Sequence, residues 1–331
     1  MDPVVERLVV GVSPDNPAGE NLEDTQLLAS FDAFRVFGQM APLGGDTDWR
    51  EIRDKALEGL GQSRDLRLLA HLAAATLRTH GLAGFCDVIG VASRWFDGFP
   101  GQVYPLVDDD AILRRNALNC FADRMAIVEA VRRQPLVSNP QLGTFSLRHF
   151  DIASGAQTAT ESDGEPLNAA HIGAVLSEAA DDQIGPLAAS LEGGVAALRQ
   201  VDAAMRGANG SEGAPEFEPL IAALDQARKI LADELATRAA TAAAADAVAG
   251  GEGAAAPGGA IAVGSIRSRD DAIRALDAVA AFFRKNEPSS PVPIFIERAK
   301  RLVAKDFLEV LADVAPDGLD QAKRVGGIRD E

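Results

Sequence analysis

Aromatic side chains supply only 5% of the 331 residues, with one tyrosine and two tryptophans. β-Sandwich cores draw on aromatic and β-branched residues, so this scarcity points away from them. Much of the 47% hydrophobic content is alanine, the strongest helix former, and the expected fold class is all-α. Cysteine is nearly absent. Cys86 and Cys120 are too few and too far apart for a disulfide framework or a zinc cluster, and each sits in an apolar helical stretch, as reduced core thiols do. Only four histidines occur, His71, His80, His149 and His171, and the P-loop, HExxH, GxSxG and CxxC patterns are missing. No cofactor or metal is expected, and the chain offers surfaces rather than a reaction centre. Long apolar runs are missing too. The least polar stretch, AATAAAADAVAGGEGAAAPGGAIAVG, is broken by Asp246, Glu252 and glycines, which excludes direct membrane insertion there. The opening MDPVVERLVVGVSPDN lacks the basic start and apolar core of a secretory signal, so a cytoplasmic protein is expected.

Positive charge is scarce in most of the chain. The formal net charge is −17, which repels phosphate backbones and argues against nucleic acid as a partner. Residues 267–331 hold 12 basic and 12 acidic side chains, whereas residues 1–266 hold 20 and 37. The imbalance lies entirely before residue 267, and a neutral tail can meet copies of itself without net repulsion.

Helical periodicity dominates what is present. Residues 24–134 read as successive amphipathic helices. Leu27, Phe31 and Phe34 share a face in the first, while Asp46 or Asp48 caps the second, with Trp49, Ile52, Ala56 and Leu60 as its stripe. The third has Ser63 as expected N-cap, Leu66, Leu69, Leu72 or Ala73, and Leu77 turned inward, and Gly81 as its stop. Helices over 82–95, 110–121 and 122–133 follow. Val137, Phe145 and Leu147 around Asn139-Pro140 then suggest a small extended excursion or a hairpin. Helices are expected over 167–206 and 216–238, divided by the turn-forming RGANGSEGAP, and the first part of the Ala/Gly-rich stretch 239–266 extends the second of them.

The tail reads as a helical hairpin. Ser268 is the expected cap of its first helix, with Ile273, Leu276, Ala280 and Phe283 on one face; Ile296, Ala299, Val303, Phe307 and Val310 align on the second. Pro288, Pro291 and Pro293 separate them: either Ser290 caps a helix starting at Pro291, or Pro293 opens it after Val292. About 60 residues rarely bury enough surface to stand alone, so this hairpin is the expected oligomerisation unit. Its candidate interface comprises Phe283, Pro288, Pro291, Pro293, Phe295, Ile296, Val303, Phe307 and Leu311. The expected domains are therefore 1–155, a multi-helix N-terminal bundle; 156–238, a helical middle region; 239–266, a linker; and 267–331, the hairpin.

Chemistry-bearing residues have plain readings. His71 lies within a helix as a core-edge residue, and glycines 81 and 84 separate His80 from Cys86, against a thiol–imidazole pair. Asp108, Asp109 and Asp110 suit the positive end of the following helix better than a cation site, and GANGSEG is spaced as a linker, not a phosphate cradle.

Three ordered stretches, SPDNPAGENLE (13–23), DWREIRDKALEGLGQSRDLRLLAHLAAATLRTHGLAGF (48–85) and RRNALNCFAD (114–123), resemble the ImpA-related N-terminal domain of the TssA family of the bacterial type VI secretion system. PLVSNPQLGTFSLRHFDIASG (135–155) is similar to the segment that follows it, and EPSSPVP…FLEVLADVAPDGL (287–319) to the end of the family's shorter members. RWFDGFPGQVYPLVDDD departs from the family's usual Tyr-Trp-Asp and the turn after it. The resemblance, to the short class, implies a non-enzymatic, ring-forming cytosolic scaffold. Its partners would be itself, the type VI baseplate, and the tube and sheath proteins whose polymerisation it primes, at the cytosolic face of the inner membrane. The competing readings are a sheath-tip cap, a proline-motif adaptor through Pro288 and Pro291, and an enzyme with an unrecognised site. Asp15, Asn16, Pro17, Gly19, Glu20 and Asn21 in SPDNPAGENLE read either as a capped loop leading into the first helix or as a direct partner contact.

Overall fold

The computed structural model describes residues 2–39, 47–107, 111–141, 143–160, 169–249, 269–286 and 291–303. Within them the chain is mostly helical, with one two-stranded sheet. It divides into two compact units, Met1–Gly250 and Gly251–Glu331.

The first unit is built around one helix. α1 (Pro3–Glu6), α2 (Gln26–Ala29) and α3 (Trp49–Leu60) precede α4 (Leu66–Gly98), most of whose residues are buried. α3 begins at Asp48, whose carboxylate accepts from the Arg50 and Glu51 amides at 3.0 Å, and lays Ile52, Ala56 and Leu60 against α4. Trp49 is half-buried, with the Arg78 guanidinium 4.0 Å from its ring centroid. α4 is broken where the sequence suggested: Gly81 has φ 72° and ψ −163° inside an otherwise continuous helical run. Its cap is Asp65, however, which accepts from the Arg67 amide at 2.8 Å, and not Ser63. Ser63 is buried and its backbone bridges to Gly19, so tertiary pairing holds it one turn before the helix starts.

The helix expected around Leu27, Phe31 and Phe34 is reduced to α2 and a 3-10 turn, Ser30–Phe34, ending at Arg35 in the left-handed region with φ 49°. Packing overrides the periodicity: Phe31 and Phe37 clamp the His71 ring with centroids 4.6 and 4.8 Å away, and the Gly38 amide donates to Asp123 at 3.0 Å. α5 (Ile112–Asn119), a π-helical turn (Arg124–Val128) capped by Asp123, and α6 (Glu129–Arg133) complete the early helices. The small hairpin follows as β1 (Pro135–Asn139) and β2 (Gly143–Ser146), antiparallel with Val137 opposite Phe145, and then α7 (Leu147–Ala153), which contains Leu147.

α8 (Ala169–Glu178) and α9 (Asp181–Asn209) replace the single helix expected over 167–206. The break has a distant cause. Arg238, on α10 (Glu218–Ala249), donates to the Leu176 carbonyl at 2.5 Å and pairs with Asp181, so one guanidinium serves the end of α8 and the start of α9. α9 packs on both α4 and α10, and the apolar core is continuous from Val5 to Leu231. At the crossing of α4 and α9 a Cβ on Gly194 would lie 2.7 Å from the Cys86 sulfur, so only glycine allows that approach. α10 runs on into the alanine-rich stretch, as expected.

In the second unit α11 (Arg269–Asn286) and α12 (Val292–Val303) pack against each other. The pairs Arg284–Glu297 (2.7 Å) and Asp277–Lys300 (2.5 Å) step away from the turn and so fix an antiparallel hairpin. α12 opens at Val292 with Pro293 in its first turn, and the Ile294 amide donates to the Pro291 carbonyl at 3.1 Å. Asp108–Asp110, residues 250–268 with Ser268 among them, Pro288, Ser290, Phe307, Val310 and Leu311 lie outside the described residues.

Candidate functional site

Two surfaces are built from the residues that the sequence singled out. The first is the junction at which residues 10–25, 60–67, 103–107 and 111–114 meet. The loop 13–23 is braced from within: the Ser13 hydroxyl accepts from the Asn16 amide (3.1 Å), Asn16 Nδ2 donates to the Gly19 carbonyl (2.8 Å), and Asn21 Oδ1 accepts from the Glu23 amide (3.0 Å). It is fastened from outside as well. The Glu20 amide donates to the Gln62 carbonyl (3.0 Å), the Arg64 amide to the Ala18 carbonyl (2.7 Å), and the Tyr104 hydroxyl to the Gly19 carbonyl (3.4 Å). Gly19, buried with φ 74°, is the pivot, because a Cβ there would stand 2.1 Å from the Gln62 carbonyl oxygen.

Buried arginines hold the rest. Arg64 Nε donates to the Val10 carbonyl at 2.9 Å and its NH1 to the Leu60 carbonyl; burial pushes this guanidinium down to about 10, still cationic at neutral pH. Arg114 donates to the carbonyls of Pro105 (2.8 Å), Pro100 (2.9 Å) and Val103 (2.5 Å), which gives an otherwise irregular segment a fixed shape, and burial lowers its pKa too. Arg67 pairs with Asp65 (2.8 Å) and Glu23 (2.7 Å), tying the loop to the first turn of α4; these two carboxylates raise its pKa against desolvation.

Of the six loop residues, Gly19 is buried, Pro17 is half-buried with its carbonyl accepting from Val12, and Asn16 and Asn21 serve the loop itself. Asp15 and Glu20 point their carboxylates outward, without an ion pair or side-chain hydrogen bond among the described residues. Sequence reasoning missed Arg64, Tyr104 and Arg114. Arg64 and Arg114 lie in the ordered stretches that carry the family resemblance, whereas Tyr104 lies in the segment that departs from the family's pattern; the fold brings all three to one junction.

The second surface is the tail hairpin. Ala280 and Ile296 are buried between α11 and α12, and Phe283 is half-buried with them. Val279 (45% exposed), Phe282 (58%), Ile294 (73%) and Phe295 (66%) stand out in solvent. Counted at 3.6 residues per turn from the packed stripe, Val279, Phe282 and Phe295 fall on one side of the antiparallel pair. Thus Phe295 from the expected interface is outward, Ile296 and Phe283 serve the hairpin's interior, Pro291 is exposed and Pro293 half-buried, and Val303 ends α12. Val279, Phe282 and Ile294 were missed because the periodicity drew attention to the inner stripe.

The remaining titratable groups are structural in setting. His71 Nδ1 lies 2.9 Å from the Arg67 carbonyl, and burial pushes its pKa down. His80 Nδ1 meets the Thr79 hydroxyl at 2.8 Å, while Cys86 faces Gly194. Burial raises the Cys86 thiol to about 12 and Cys120 to about 11, well away from a reactive thiolate. Among the described residues there is no cluster of three or more His, Cys, Asp or Glu able to hold a metal, and no helix long and apolar enough to cross a membrane.

Known proteins agree with this picture. Residues 10–123, which contain the whole first junction, match the family described as ImpA, N-terminal, type VI secretion system. Over 342 aligned residues the chain is 29% identical to the type VI secretion system component TssA1 of Pseudomonas aeruginosa, covering 98% of each. Its fold is similar to that of the N-terminal domain, including the conserved ImpA_N region, of the TssA component of the type VI secretion system from Burkholderia cenocepacia. That likeness has a TM-score of 0.56 at 21% identity and covers 71% of this chain and 94% of the other. Residues 10–123 thus match an ImpA N-terminal domain, and along nearly its full length the chain is similar to a TssA component of the type VI secretion system.

Proposed function

We propose that this protein is a non-enzymatic assembly scaffold of the type VI secretion machine: copies close into a ring through the tail hairpin, meet the baseplate, and help prime tube and sheath polymerisation. One observation carries the reading. The hairpin buries Ala280 and Ile296 between its helices and still leaves Val279, Phe282 and Phe295 exposed on one side, on a tail segment whose charges balance. Apolar side chains gathered on one exposed face mark an interaction surface, and a neutral segment meets its own copies without the repulsion that the acidic body would bring. A relative of matching length whose name makes it a type VI secretion component supports the place of action, and the similarity of the tail to the family's shorter members supports the baseplate over the sheath tip. In the cell this corresponds to the cytosolic face of the inner membrane, reached through the baseplate.

The test is a strain that lacks the protein but carries a fluorescent sheath. Sheath assembly and contractile secretion should be lost while growth and general export continue. Normal sheath numbers in that strain would rule the scaffold out. A His80→Ala strain separates the enzymatic alternative: it should assemble sheaths as the parent does, whereas loss of sheaths from that single polar change would favour catalysis.

A further inference from the structure

The first unit exposes large apolar side chains in only two stretches among the described residues: Val4, Val10 and Val12, and Leu106, Ile112 and Leu113. Singly exposed aliphatics such as Val4 need no explanation, but Val10 and Val12 on one side and Leu106 on the other belong to one junction. Val10 is held by Arg64, a Val12 methyl borders Gly19, and Leu106 follows the Tyr104-Pro105 pair that Gly19, Arg64 and Arg114 fasten. Between them runs the braced loop. Residues 13–25 contain Asp15, Glu20, Glu23 and Asp24 and no lysine or arginine. Glu23 is occupied by Arg67, which leaves Asp15, Glu20 and Asp24 as exposed carboxylates without a partner among the described residues, the first two within the braced loop.

We propose that this junction docks a protein segment carrying lysine or arginine beside aliphatic side chains. Its aliphatics would seat near Val10, Val12 and Leu106, and its cations at Asp15 and Glu20. The inference rests on the scaffold reading and names the kind of partner that the first unit takes. Three features support it. The loop's hydrogen bonds are made before any partner arrives, so little ordering cost attends binding. Apolar anchors beside unpaired charge match the anatomy of transient interfaces. The acidic balance of residues 1–266 selects a cationic partner and disfavours a second acidic body on the same face.

Photo-crosslinking in cells tests this with the full chain. A photo-reactive residue replaces Leu106 in one strain and Val12 in another, and the crosslinked peptides are identified by mass spectrometry. The expected peptide comes from another protein, carries net positive charge and contains Leu, Ile or Val. The double substitution Asp15→Lys, Glu20→Lys should cut the crosslink yield about tenfold or more, while the thermal unfolding of the chain and its assembly mass stay unchanged. An acidic peptide, a peptide from a second copy, a yield indifferent to charge reversal, or no crosslink at either position in cells that still build sheaths would overturn the proposal. Sheaths assembling in the absence of the protein would overturn the scaffold reading instead, whatever the crosslinked peptide contains.

Discussion

Replacing Gly19 by alanine should damage the first unit more than any other one-carbon change at an exposed loop. The new Cβ would stand 2.1 Å from the Gln62 carbonyl oxygen, 2.8 Å from a Val12 methyl and 3.0 Å from the Gln62 carbonyl carbon. Two of these contacts are with backbone, which cannot rotate aside. A non-glycine residue at φ 74° costs about 1 kcal/mol or slightly more. Shifting the Gln62 carbonyl also strains the Glu20–Gln62 and Arg64–Ala18 hydrogen bonds, each worth about 1 kcal/mol. The sum is about 3 kcal/mol, which for a unit of this size lowers the melting temperature by roughly 6–12 °C. Both tryptophans, Trp49 and Trp95, lie in the first unit, so their fluorescence during a thermal ramp reports on it without interference from the tail. Gly193→Ala is the control: it lies in α9 with nothing within 4 Å of its added carbon, and should stabilise by up to about 1 kcal/mol. If Gly19→Ala melted with the parent protein, the junction would not be held as described.

Arg114→Met should destabilise the first unit by about 3 kcal/mol or more, because the carbonyls of Pro100, Val103 and Pro105 lose their donor together; Arg114→Lys should not rescue it, since one ammonium cannot reproduce the guanidinium fork, and urea midpoints read both. His71, with its pKa lowered by burial and faced by Asp32 and Asp65, binds a proton more readily unfolded than folded, so stability should fall as pH drops from about 6.5 through the folded-state value; His71→Phe should flatten that slope in pH-dependent melting curves, and an unchanged slope would assign it elsewhere. Replacing Pro288, Pro291 and Pro293 by alanine should leave helix content by circular dichroism nearly intact but broaden the assembly into several masses, because the turn no longer fixes the hairpin angle; a single unchanged mass in native mass spectrometry would remove the prolines from that role.

Locally encoded features were legible in the sequence. Asp48 as one of two candidate caps of α3, the break at Gly81, the extended or hairpin segment around Val137 and Phe145, the extension of α10 and the described part of the tail's inner stripe each depend on neighbours within a few residues. Features decided by distant groups were not. The 3-10 turn after α2 is imposed by His71 and Asp123, and the break between α8 and α9 by Arg238, about 60 residues away. Arg114 illustrates the difficulty at the site: an arginine in an amphipathic helix reads as a surface residue, yet this one is buried because three carbonyls of a folded-back segment require donors. The outward-facing Val279 and Phe282 were equally hidden, since periodicity identifies which residues pack inside the hairpin and says nothing of a second apolar face.

The most direct test of the scaffold is the mass of the purified full chain by native mass spectrometry, set beside that of the double substitution Phe282→Asp, Phe295→Asp. One closed oligomer is expected for the parent, and a species no larger than a dimer for the variant, with tryptophan-monitored melting of the first unit unchanged. A variant that kept the parent's full mass would contradict assembly through the exposed face of the tail hairpin.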